Sequence, residues 1–167
     1  MNWDAIGAIG EIVGAFAVVV SLLFVGWQLY QNTDALKTST SQSHLDSFFA
    51  IASTVFKDPE FAELYNKGLF EPETLSDVDR IRFYGFCTST FRYYETSYIQ
   101  FRKGKLDAEL WDTLETQLAS ISSTRGVQQW WKTRANWFSK DFQQLFETQR
   151  GKDPNPESLY SDPNSIT

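Results

Sequence analysis

Hydrophobic and polar positions divide the chain into two unlike stretches. From Ile12 to Thr33 no side chain carries a charge, and the text reads IVGAFAVVVSLLFVGWQLYQNT. At the 1.5 Å rise of a helix, these residues reach across the roughly 30 Å hydrocarbon layer of a bilayer. Trp3 lies before the run and Trp27 and Tyr30 lie at its end. Trp3 and Trp27 stand about 36 Å apart on an ideal helix, the spacing of the two headgroup levels where such rings settle. The pattern predicts one transmembrane helix over residues 1–33, in a single-pass protein. A cleaved signal peptide is the rival reading. It calls for a basic start and a small-residue cleavage site, whereas this stretch carries Asp4 and Glu11 and ends in WQLYQNTD.

Beyond the run the apolar residues recur at helical spacing. Leu45, Phe48, Phe49, Ala52, Val55 and Phe56 extend the first helix up to the break at Asp58-Pro59-Glu60, which supplies a cap, a first-turn proline and an acid. A short helix is expected from there to Lys67, stopping at Gly68. The stretch LFEPETLSDVD reads as a loop, with Ser76 capping a long helix over 77–102. The expected inner face of that helix is Ile81, Tyr84, Cys87 or Thr88, Phe91, Tyr94 or Glu95, Tyr98 and Phe101. Gly104 ends it, and Asp107 caps a helix carrying Leu110, Leu114, Leu118 and Ile121. Another begins near Ser123 or Thr124 and holds Trp130 and Trp131. Two adjacent tryptophans point different ways, so one is expected to meet a second subunit or the membrane surface. Ser139 caps the last helix, with Phe142, Leu145 and Phe146 inward. Residues 151–167, rich in proline and polar side chains, read as an extended or disordered tail. With strand signals weak, the fold class is all-α: a long N-terminal transmembrane helix continuing into a bundle of about five helices over 34–150.

The transmembrane stretch carries its own pattern. Positions 7, 11, 14, 18, 21, 25, 28, 32 and 35 step alternately by four and three along one seam. That seam collects Gly7, Glu11, Gly14, Ser21, Gln28 and Asn32, while Phe16, Val19, Leu22, Leu23, Phe24 and Leu29 fall on the other faces. Lipid accepts the second set and resists Glu11 and Gln28. Packing several copies hides the seam, with glycines allowing close backbone approach and Ser21 and Gln28 offering hydrogen bonds. A homo-oligomer is the leading expectation. The alternative is a small ion-conducting assembly lined by the same face, with Glu11 at its mouth.

Composition narrows the remaining chemistry. A net charge of −6 opposes nucleic-acid binding. The single cysteine, Cys87, allows no intrachain disulfide, and the single histidine, His44, reads as structural or exposed. Glu95 lies beside the aromatic stripe with Arg92 a turn back, as a structural ion pair or a cap to a neighbouring helix would. No nucleotide-binding, zinc-protease or serine-hydrolase motif occurs, so no catalytic residue, metal or cofactor is assigned, and no small-molecule ligand is indicated. Lys37, the first basic residue, favours a cytoplasmic C-terminal domain.

The N-terminal text MNWDAIGAIGEIVGAFAVVVSLLFVGWQLYQNT resembles a widespread group of uncharacterised bacterial membrane-anchored proteins with the pattern W-x-AIGAI-x-E at the start and QNT at the end of the span. Trp3, Glu11, Gly14, Gln28, Gln31, Asn32 and Thr33 carry the likeness. Asp58-Pro59-Glu60, the block RYYETSYIQFRKGKLDAELW and Trp130–Trp131 extend it over nearly the whole chain, with Tyr30 standing where many relatives have arginine. The resemblance implies anchoring in a bacterial inner membrane and brings no activity with it.

Overall fold

The structure is a computed structural model that describes residues 3–153 and 155–156, with the side chains of 3–10, 12–13 and 33–38 outside the description. Among the described residues it is all-α and contains no strand. The helices are α1 (Trp3–Phe56), α2 (Pro59–Phe70), α3 (Asp77–Arg102), α4 (Ala108–Ser123), α5 (Arg125–Arg134) and α6 (Lys140–Gln149), with short 3-10 turns at Pro72–Thr74 and Ala135–Trp137. The chain forms two compact units, Met1–Ser39 and Thr40–Thr167. The expected tail falls largely on 157–167, outside the described residues.

Local chemistry sets the helix boundaries of the second unit. The Asp58 carboxylate accepts from the backbone N–H groups of Glu60 (3.1 Å) and Phe61 (3.3 Å), two of the donors a helix start leaves unpaired. Ser76 accepts from Asp79 N–H at 3.1 Å, and its own hydroxyl donates to the Asp79 carboxylate at 2.7 Å, an acidic version of the capping box. Asp107 accepts from Glu109 and Leu110 at 2.9 and 3.4 Å. At the end of α3, Gly104 takes a φ of +66°, where a side chain would be strained.

Three expectations fail here, each for a tertiary reason. α2 runs through Gly68 to Phe70. The glycine is a crossing point: a Cβ on Gly68 would lie 2.3 Å from the Phe83 ring, and one on Gly126 of α5 would lie 1.7 Å from the Gly68 carbonyl oxygen. Only two bare backbones fit where α2 and α5 meet. The inner face of α3 is also rotated at its start. Phe83 is fully buried and Ile81 is 73% exposed, because α2 packs on the Phe83 side.

The third concerns the tryptophans, both of which are buried. α5 is enclosed on several sides, so residues about 100° apart on it both reach core. Trp130 packs on Phe91 with ring centres 4.9 Å apart, and Trp131 stacks on Phe146 at 3.9 Å. The Trp131 ring N–H donates to Glu147 at 3.1 Å, so the buried indole keeps a polar partner. Neither ring is available to a second subunit. The exposed tryptophan of this region is Trp137.

Candidate functional site

Helix α1 contains the residues to which the sequence points. Its window Gly14–Asn32 spans 19 residues at a mean hydropathy of 1.5, and none of it is buried among the described residues. It is the one helix among the described residues long and apolar enough to cross a membrane. Phe16 and Leu23 are each 70% exposed, with Leu22 and Leu29 close behind. Contiguous exposed apolar area of this kind is unfavourable in water, at about 25 cal/mol per Å².

The polar seam is equally uncovered. Glu11, Gly14, Ser21, Gln28 and Asn32 are all exposed, and a Cβ placed on Gly14 would meet nothing within 4 Å. Gly7 sits in the helix, but its surroundings lie outside the described residues. Residues seven apart drift by only about 20° per heptad on a straight helix, so Gly14, Ser21 and Gln28 share one side. Ser21 departs from the expected role in one respect. Its hydroxyl donates to the Ala17 carbonyl at 2.8 Å, so its proton is satisfied within the helix.

In the second unit the candidate chemical groups are structurally engaged. Buried Glu95 uses both carboxylate oxygens: one accepts from Arg92 at 2.6 Å, the other from the backbone N–H of Ser139 at 2.7 Å. Arg92 also donates to the Trp137 carbonyl at 2.6 Å and lies over the Phe138 ring. Together they tie α3 to the turn that opens α6. Ser139 occupies the cap position of α6 as expected, but its side chain makes no cap bond. Burial pushes the Cys87 thiol well above its ordinary range, which keeps it protonated and unreactive.

His44 is buried, against Ser97 and Tyr93 of α3. Its Nδ1 lies 3.1 Å from the Ser97 hydroxyl oxygen, and that hydroxyl donates its proton to the Tyr93 carbonyl at 2.8 Å. The pattern assigns the Nδ1–H as donor to Ser97. The imidazole meets the Tyr93 ring edge-on at 5.9 Å. Desolvation lowers the His44 pKa below the usual 6.5. A lowered histidine pKa means that the unfolded chain takes up the proton first. Stability is therefore full above pH 6.5 and falls as pH drops from there toward the depressed folded value. Urea unfolding followed by tryptophan fluorescence should show this loss, and His44→Asn should flatten it. An unchanged slope in the variant would exclude His44 as its source.

Among the described residues no group of three or more histidine, cysteine or acidic side chains is placed to hold a metal. No family model matches the chain, and neither a curated protein nor a solved structure matches it.

Proposed function

We propose that this protein is a non-enzymatic, membrane-anchored helical module that assembles as a homo-oligomer through the polar seam of α1, with its second unit on the cytoplasmic side of a bacterial inner membrane. The observation that carries the proposal is that none of Gly14–Asn32 is buried among the described residues. Among the described residues nothing covers this apolar cylinder, and a bilayer would. Its valine, leucine and phenylalanine side chains each gain about 0.3–0.6 kcal/mol on insertion at the centre of a membrane. Glu11 and Gln28 work against that gain unless another helix receives them. Bilayer insertion and self-association are thus two halves of one reading.

The anchoring half has a direct test. After alkaline carbonate extraction of expressing cells, the chain should remain in the membrane pellet, and its intact mass should include residues 1–33. Release into the supernatant, or a mature chain starting beyond Thr33, would overturn the proposal.

A further inference from the structure

Between His44 and Phe56 helix α1 carries two stripes, and the fold of the second unit uses one of them. His44, Phe48, Ile51 and Val55 step by four, three and four and face the core, where His44 meets Ser97 and Phe48 packs on the Tyr93 ring at 6.1 Å. Leu45, Phe49, Ala52 and Phe56 repeat the same steps one residue later, so this second stripe lies about 100° round the helix. Phe49 is 63% and Phe56 79% exposed, and Leu45 is exposed beside them. Asp46, on the flank of the stripe, is exposed and receives the Gln42 amide at 3.1 Å, so its charge stays in water.

Spacing and size point to one occupant. α1 is a single helix from Trp3 to Phe56. Phe49 and Phe56 stand three and four heptads beyond Gln28, in the same seven-residue series as Gly14, Ser21 and Gln28. Packed helices that keep a seven-residue repeat wind left-handedly, which holds every member of the series on the contact side. Two phenylalanines exposed to this degree leave roughly 300 Å² of aromatic surface per chain, about 600 Å² for a pair of chains. A free-standing interface takes about 1,200 Å² or more. The stripe is too small to capture a partner from solution, but it suits a helix already held alongside, where the effective concentration is high. We infer that the interface between copies continues beyond the bilayer, with Phe49 and Phe56 packed against the same residues of a parallel second copy. This inference rests on the self-association proposed for the membrane part of α1 and adds the second unit to it.

Cysteine cross-linking of the full chain in nanodiscs tests it, because a disulfide needs Cα atoms within about 7 Å and the native Cys87 is buried. Under copper-phenanthroline oxidation, Phe49→Cys and Phe56→Cys should each give a disulfide-linked dimer as the main product. Thr54→Cys is also exposed but lies about 140° round α1 from Phe49, and it should stay unlinked. Replacing both phenylalanines, as Phe49→Ser with Phe56→Ser, should raise the dissociation constant of the assembly about tenfold. Near-UV circular dichroism matching the parent shows that each variant is folded. If native mass spectrometry finds the parent oligomeric and Phe49→Cys does not cross-link, the contact ends at the membrane, and the extension is overturned while the seam stands. Equal cross-linking at Thr54 would mark random collision, and a double variant that assembles as tightly as the parent would leave the stripe without a role; either overturns the inference. A monomeric parent contradicts the membrane seam itself, and the extension falls with it.

Discussion

Gly126→Ala should destabilise the second unit by about 3 kcal/mol, near the upper end for overpacking a core. The added methyl would sit 1.7 Å from the carbonyl oxygen of Gly68, and the next nearest atoms are also backbone. A flexible side chain could swing away, but here α2 and α5 must separate. That separation opens the contacts of Trp130 and Phe91, since Gly126, Val127 and Trp130 are all buried on α5. Thermal unfolding followed by near-UV circular dichroism should fall by about 10–15 °C. Gly85→Ala is the matched control. A Cβ there meets nothing within 4 Å, so it should stabilise α3 by about 0.5–1 kcal/mol through helix propensity alone. If Gly126→Ala melts like the parent, the α2–α5 crossing is not the tight contact described.

Gly14→Leu should abolish self-association while leaving the second unit folded. Gly14 lies on the exposed seam with open space where a side chain would project, so the substitution costs the isolated chain nothing. In an assembly that space is where a second helix sits, and a leucine would hold the backbones apart. Interhelical hydrogen bonds in lipid average roughly 0.6 kcal/mol each, so close packing has to carry much of the association. Gln28→Leu should weaken assembly less, by deleting hydrogen bonds without blocking approach. Phe16→Leu, on a face assigned to lipid, should change nothing. Cross-linking yield in nanodiscs ranks the three. Equal yields from Gly14→Leu and the parent would move the interface off the seam.

What could be read directly from the sequence was local. Asp58, Ser76 and Asp107 announce helix starts because a short polar side chain next to unpaired N–H groups works the same way in any fold. The α3 boundaries were legible for the same reason, between Ser76 and Gly104. Features that depend on a distant partner were not. Gly68 reads as a stop signal until Gly126 is seen crossing it, fifty-eight positions further on. Ile81 and Phe83 compete for one face of α3, and the position of α2 decides between them. The Trp130–Trp131 pair looks divided between core and surface only if α5 is assumed to have one buried side. The Glu95–Ser139 bond joins residues 44 apart, although the sequence already suggested a cap to a neighbouring helix. The seam of α1 is the reverse case. Its spacing was visible at once, but any partner would be another molecule.

The subunit count is therefore the decisive measurement. Native mass spectrometry of the full chain released from nanodiscs should give one discrete oligomer for the parent, and monomer for Gly14→Leu. A parent chain that is monomeric in the bilayer, or an oligomer that Gly14→Leu leaves intact, would contradict the account.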